Sequence, residues 1–324
     1  MKLGLLDIGS TAARLELVDV DRDTLPRTEW SSKSRTRLAE HTLPDGFVLP
    51  EGVDAAGRAV EKCLRAARGR EPDVLVPYGT SAVRDAANCD ELRERLTAAA
   101  GQRIGVLSPE AEAALTYRAA HRWHGRPSAV LTTIDIGGGT TDVVRGTEEE
   151  PDDVVSLPLG AARLTRQHLV DDPPSPQQVE QLTDAVRERA RSALRPLTDE
   201  PRGQVLAQSK MLRQLAVLAE STEERVARHP DRLIRAGVVR WLPRLGELDQ
   251  HERAALPGIS RSRARRVLAG AIVAEAVLDE LGAETAEVCP WGLREGLVFR
   301  FLEACEGARS SGAAVRDVVA EMFA

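Results

Sequence analysis

The sequence predicts an α/β protein made of two related domains that face each other across a cleft. Three observations carry this prediction. One short pattern occurs twice: an apolar run ending in Asp-Ile-Gly, then small hydroxyl or glycine residues, then a second β-prone run. Segments with strand and helix patterns alternate along the chain, as an α/β sheet requires. The length of 324 residues exceeds the usual single-domain size, so two domains of ordinary dimensions are expected.

The first copy of the pattern is Leu3 to Val20, LGLLDIGSTAARLELVDV, and the second is Leu131 to Val144, LTTIDIGGGTTDVV. Each reads as a strand, a tight turn and a returning strand, with Asp7 or Asp135 at the rim where strand gives way to turn. Glycine lets backbone N–H groups approach an anion, and the adjacent carboxylate suits a hydrated Mg²⁺ or a reacting water. Either loop alone reads equally well as an ordinary hairpin turn. The repeated Asp-Ile-Gly and the run Gly137, Gly138, Gly139 favour a pair of phosphate loops.

After the first hairpin, Val53 to Arg68 has helical apolar spacing, Val74 to Val76 is a short strand, and a helix enters through Ala82 to Asp85. Asp90 to Ala100 reads as a helix, Ile104 to Leu107 as a strand and Pro109 to Trp123 as a third helix. The second hairpin restarts the order. Pro173 to Leu194 and Arg225 to Leu242 are long, charged and helical in pattern, with a linker-like stretch at Asp171 to Pro176, so the second domain is the more helical. The expected domains are residues 1–126 and 127–324, with the final helix free to pack back on the first.

Composition narrows the class of function. Hydrophobic residues make up 42% and aromatics only 3%, so the cores are aliphatic; the net charge of −6 argues against a protein that coats nucleic acid. Cys63, Cys89, Cys289 and Cys305 show neither metal spacing nor a disulfide framework, and read as reduced thiols. The chain opens directly on a strand and has no apolar run of about 20 residues, so a soluble cytoplasmic protein without a membrane partner is expected.

Two helix starts carry candidate chemistry. Tyr78-Gly79-Thr80-Ser81-Ala82-Val83-Arg84 places hydroxyls before a helix and an arginine in its first turn, either an anion site or an N-cap with a surface ion pair. Ser108-Pro109-Glu110-Ala111-Glu112 reads as N-cap, first helical position and acidic first turn; the carboxylates either complement the helix dipole or accept a proton from water. The basic stretch Gly258 to Arg266, with Arg263 at its middle, and Lys210 with Arg213 suit a chain of phosphates, although a solvated helix face has the same pattern.

The order of these motifs resembles the exopolyphosphatase and guanosine pentaphosphate phosphatase family. The residues that carry the resemblance are Asp7-Ile8-Gly9-Ser10, Gly79 to Ala86, Glu110 and Glu112 ahead of Ala113, and Asp135 to Asp142. Ser156 to Thr165, Ala269-Gly270-Ala271 and Cys289 to Leu297 look like the family's actinobacterial short form. The resemblance implies an actin-like (ribonuclease H-like) duplicated fold and release of terminal phosphate from inorganic polyphosphate, with guanosine pentaphosphate as the alternative substrate.

It further implies Glu112 as general base and Asp135 and Asp142 as catalytic carboxylates binding Mg²⁺, with Mn²⁺ as the alternative, or orienting the water. Asp7, Gly9, Ser10, Thr11, Arg84, Gly137, Gly138, Gly139 and Thr140 become substrate-binding residues, extended by Lys210 and Arg263. Ala111, Ala114, Thr11, Asp142 and Gln208 depart from the family pattern, which leaves open a slow enzyme or a polyphosphate or guanosine-polyphosphate sensor. Short polyphosphate is expected over long, and a homodimer is left open. Kinases and actin-like ATPases need a late Gly-Gly adenosine turn, where this chain reads Val205 to Arg213 without one. His121 and His124 lack a third ligand at telling spacing for zinc and read as surface residues.

Overall fold

The computed structural model describes residues 1–20, 26–125, 130–198, 203–221, 230–311, 318–319 and 322–323, with side chains left aside at 308–311. By internal contacts the chain divides into two units: residues 1–112 with 294–324, and residues 113–293. The boundary expected at 126/127 lies outside the described residues.

The first unit is organised by the first hairpin. Strands β1 (Lys2–Ile8), β2 (Ala12–Asp19) and β3 (Arg27–Arg35) run antiparallel, while β4 (Val74–Gly79) lies parallel to β1 and β5 (Gly105–Val106) parallel to β4. The order is β3-β2-β1-β4-β5. Alternation along β1 sends Leu6 and Ile8 into the core that helices α1 (Pro50–Ala66) and α3 (Cys89–Ala100) cover, and turns Asp7 to the other face. Helix α1 begins at Pro50, one turn earlier than the pattern suggests, because proline suits the first helical position. Between them α2 (Ser81–Arg84) is a single turn. The sequence pattern does not reveal β3, RTEWSSKSR, because an edge strand with alternating exposure has little apolar signal.

The second unit repeats the plan. Strands β6 (Leu131–Ile136), β7 (Thr141–Gly146) and β8 (Asp153–Leu157) run antiparallel, β9 (Gln204–Ala207) is parallel to β6, β10 (Arg232–Ile234) closes one edge and β11 (Thr285–Val288) is parallel to β9. The order β10-β11-β9-β6-β7-β8 contains the order of the first sheet with one added edge strand. Two sheets with this shared order and sense are the duplicated actin-like, ribonuclease H-like α/β fold.

One face of the second sheet is covered by α5 (Ala161–His168), α6 (Pro176–Thr198), α7 (Lys210–Glu220), α8 (Arg235–Glu247) and, after the single turn α9 (Gln250–Arg253), α10 (Val267–Glu280). Helix α10 is buried continuously from Val267 to Leu278, and is apolar all round as a central helix must be. Its buried charge, Glu275, accepts from Arg235 at 2.9 Å and Arg187 at 3.2 Å. The opposite face packs on α4 (Pro109–His124) from Ala113 onward, through Ala113, Tyr117 and Ala120 against Leu131, Val144 and Leu206. Helix α11 (Leu293–Ser311) belongs to the first unit from Arg294, and Arg294 bonds Glu16 and Thr28 at 3.1 Å each.

Two further helix boundaries differ from the sequence pattern. Helix α6 starts at Pro176, where Ser175 and Gln178 exchange side-chain to backbone bonds at 3.2 and 3.3 Å, a capping box that fixes the start after the proline run. The helix expected over 225–242 begins at Arg235; residues 225–229 lie outside the described residues, and 232–234 join the sheet as β10, burying Leu233.

Candidate functional site

The two Asp-Ile-Gly loops close as the same four-residue turn. The Gly9 N–H donates to the Ala12 carbonyl at 3.1 Å, and the Gly137 N–H to the Thr140 carbonyl at 2.9 Å. Each loop is then backed by a different segment. The carbonyls of Gly9, Ser10 and Thr11 accept from Thr36 Oγ1 (2.8 Å), Ala39 N–H (2.9 Å) and Thr36 N–H (3.1 Å). In the second unit the N-terminus of α5 does this work: Ala161 donates to Gly137 (3.0 Å), Ala162 and Arg163 to Gly138 (3.1 and 3.0 Å), and Gly160 to Gly139 (3.2 Å).

In a planar trans peptide the N–H points opposite to the preceding carbonyl. Carbonyls turned toward the backing segment therefore turn the N–H groups of Ser10 and Thr11, and of Gly138, Gly139 and Thr140, away from it. Among the described residues none of these N–H groups has a backbone acceptor. Gly160 is required by close approach, since a Cβ there would lie 2.2 Å from the Gly139 carbonyl carbon.

The carboxylates at the rims differ in what faces them. Asp7 on β1 stands opposite Arg14 on β2, whereas the equivalent Asp135 on β6 stands opposite Asp142 on β7. The first register pair joins unlike charges, and the Arg14 guanidinium also donates to Glu16 at 3.2 Å. The second places two like charges on directly opposed positions, which is unfavourable unless a cation or a proton intervenes. Asp142 also accepts from the Ser156 hydroxyl at 2.5 Å, its register partner on β8.

Arg84 and Glu112 come together in the first unit. Ser108 caps α4, its hydroxyl accepting from Ala111 N–H at 3.1 Å, and Glu112 sits in the first turn. Arg84 Nη1 donates to Glu112 Oε2 at 2.7 Å and to the Leu107 carbonyl at 3.2 Å, while its Nε reaches Asp85 at 2.9 Å. Burial pushes the Glu112 carboxyl above its ordinary range, and the Arg84 guanidinium opposes that rise. Tyr78, beside Asp7 in the β1–β4 register, is buried; desolvation first, then the charges of Asp7, Glu16 and Glu112, push its phenol well above its ordinary value, so it stays neutral.

Other predicted residues take simpler positions. Lys210 is exposed at the start of α7, after the N-cap Ser209, and Arg263 is half-buried just before the 3-10 turn Ala264–Arg266 that leads into α10. In the same basic stretch Arg265 and Arg266 donate to the carbonyls of Val170 (3.2 Å) and Ser262 (2.8 Å), so part of that row holds backbone in place. His121 and His124 are bonded rather than free at the surface, to the Thr147 carbonyl at 3.3 Å and Gln204 Oε1 at 2.8 Å. Sequence reasoning missed the roles of Thr36, Tyr78, Ser156 and Gly160. Only Gly160, a glycine just ahead of a helical pattern, left a readable signal.

The Ppx/GppA phosphatase family model matches residues 18–304. Exopolyphosphatase 1 of Mycobacterium tuberculosis is 37% identical over 305 residues, covering 94% of this chain and 89% of that protein. Exopolyphosphatase 1 of Mycobacterium leprae is 35% identical over 320 residues, covering 98% and 94%. Among solved structures, an exopolyphosphatase from Cytophaga hutchinsonii shares the fold with a TM-score of 0.78 at 22% identity, over 97% of this chain and 99% of that one. An Aquifex aeolicus Ppx/GppA family member does so with a TM-score of 0.75 at 23% identity, over 94% and 98%. Two Asp-Ile-Gly loops on a duplicated fold, with this likeness along nearly the whole chain, place the protein in the Ppx/GppA phosphatase family.

Proposed function

We propose that this protein is an exopolyphosphatase, hydrolysing the terminal phosphoanhydride bond of inorganic polyphosphate. The observation that carries the reading is the Arg84–Glu112 pair at 2.7 Å, a carboxylate of raised proton affinity held against a guanidinium. Glu112 takes the proton of the attacking water, and Arg84 donates to a phosphoryl oxygen. The outward N–H groups of Ser10, Thr11, Gly138, Gly139 and Thr140 are further donors for phosphate oxygens. No covalent nucleophile is needed, because phosphoryl transfer asks mainly for alignment and charge stabilisation.

The opposed carboxylates Asp135 and Asp142 fit Mg²⁺, or Mn²⁺, which bind through one or two carboxylates together with waters and substrate phosphates. The ion when bound offsets negative charge on the phosphoryl oxygens. Asp7 has an arginine, Arg14, and not a second carboxylate at its register position, so the same like-charge apposition does not arise there.

Both mycobacterial relatives carry the exopolyphosphatase name, which puts polyphosphate ahead of guanosine pentaphosphate. The test is phosphate release by the purified protein with Mg²⁺ from short polyphosphate, long polyphosphate, guanosine pentaphosphate and ATP, beside Glu112→Gln. Release from polyphosphate that disappears in the variant supports the reading, with short chains the faster. Release from guanosine pentaphosphate alone replaces the substrate, and binding without release from any makes the protein a sensor.

A further inference from the structure

Four residues form a polar row across four neighbouring strands of the second sheet. Ser156 on β8 faces Asp142 on β7, and Asp142 faces Asp135 on β6. The β6–β9 ladder, whose last pair is Ile134 with Ala207, brings Gln208 alongside Asp135. Ile134, Val143, Val205 and Ala207 turn to the core on the other face. By alternation Asp135, Asp142 and Gln208 therefore share the face that α4 covers.

Gln208 is 1% exposed and its amide is oriented without ambiguity. Nε2 donates to the Thr116 carbonyl at 2.9 Å and the Trp291 carbonyl at 3.0 Å, two acceptors that only the NH₂ end can serve. Oε1 is buried with no hydrogen-bond partner. A buried acceptor left without a donor loses the hydrogen bond that water would give it in the unfolded chain. The hydroxyl and thiol near the row are directed elsewhere: Ser156 donates to Asp142 and Cys289 to the Trp291 carbonyl.

We propose that Gln208 is a positioning residue for the metal site, its Oε1 accepting a hydrogen bond from a water of the cation held by Asp135 and Asp142. The inference rests on the reading of those carboxylates as the cation-binding pair. Outer-sphere partners of this kind orient a metal's waters and typically alter affinity by about 10–100-fold.

The test is a Mn²⁺ titration of the full chain without substrate, followed by electron paramagnetic resonance, on wild type, Asp142→Asn, Gln208→Met, Gln208→Ala and Gln208→Glu, each checked for folding by its melting curve. Gln208→Met and Gln208→Ala differ in volume, so one that fails to fold leaves the other. Both are expected to weaken Mn²⁺ binding about tenfold. Gln208→Glu, which as the neutral acid donates to one carbonyl and keeps an acceptor, is expected to stay near wild type. Wild-type affinity in the Met and Ala variants, or equal loss in all three, overturns the role of Gln208 while loss in Asp142→Asn keeps the metal reading. Wild type that binds no Mn²⁺, or Asp142→Asn that binds it unchanged, overturns both.

Discussion

Arg84 Nη1 lies 2.7 Å from Glu112 Oε2, so one of the phosphate-binding cations suggested by the sequence is also the counter-charge of the suggested base. Burial raises the Glu112 carboxyl and Arg84 restrains it. A carboxylate tuned by these two opposing effects accepts a proton more readily than an exposed glutamate.

With Glu112 as the proposed base, the rate is expected to fall as pH drops through its pKa, which is raised above the ordinary 4.5. Arg84→Met removes the favourable cation and leaves desolvation unopposed. The acidic limb of kcat against pH therefore moves to higher pH, and Glu112→Gln lowers kcat by about 10²–10⁴-fold. A limb that stays in place, or moves to lower pH, would dissociate Glu112 from the rate.

Asp142→Asn separates stability from activity. In chelator-treated protein it removes a like-charge repulsion with Asp135, and thermal melting should show a gain of about 0.2–1 kcal/mol. The same change should depress Mg²⁺-dependent phosphate release. Lower stability with full activity would argue against a cation-binding pair.

Gly160→Ala should disturb the second loop, because the new Cβ would sit 2.2 Å from Gly139. Overpacking of this kind costs about 1–3 kcal/mol, and displacement of α5 should reduce phosphate release. Gly246→Ala is the control: its Cβ would meet nothing closer than Val179 at 3.9 Å. That change should stabilise by about 0.4–1 kcal/mol with activity intact. Equal behaviour of the two variants in melting and turnover would refute the tight packing of α5 on the loop.

Removing Arg235 should destabilise more than removing Arg187. Both bond Glu275, whose side chain is 3% exposed, but Arg235 is 24% exposed and Arg187 50%. Arg235→Ala leaves a buried carboxylate with a half-exposed partner and should cost about 3 kcal/mol by denaturant unfolding. Arg187→Ala should cost about 1 kcal/mol or less. The reverse order would show that Arg187 carries the pair.

Much of the plan was legible because local rules coincide with tertiary ones in this chain. Asp-Ile-Gly after an apolar run marks a strand end in both copies, Ser108-Pro109 marks a helix start, and the apolar spacing of α1 marks its buried face. β3 and β10 were hidden, the first by its polar edge pattern and the second by a long charged segment that reads as helix. Ser156 and Gln208 could not be tied to Asp135 and Asp142 from the sequence, because cross-strand register is a relation between distant segments.

By itself the sequence determined the duplicated hairpins, their glycine-bearing turns and the identity of the acidic and basic groups, since turn residues and apolar periodicity act over a few neighbouring positions. Tertiary structure alone decided which charges meet. It set Arg14 against Asp7 but Asp142 against Asp135, and brought Arg84 to Glu112. It also turned the loop N–H groups outward by holding their carbonyls. Sheet register and helix docking select partners far apart in the chain, and burial sets the dielectric in which those partners interact, so the raised proton affinity of Glu112 and the apposition of Asp135 with Asp142 arise only on folding.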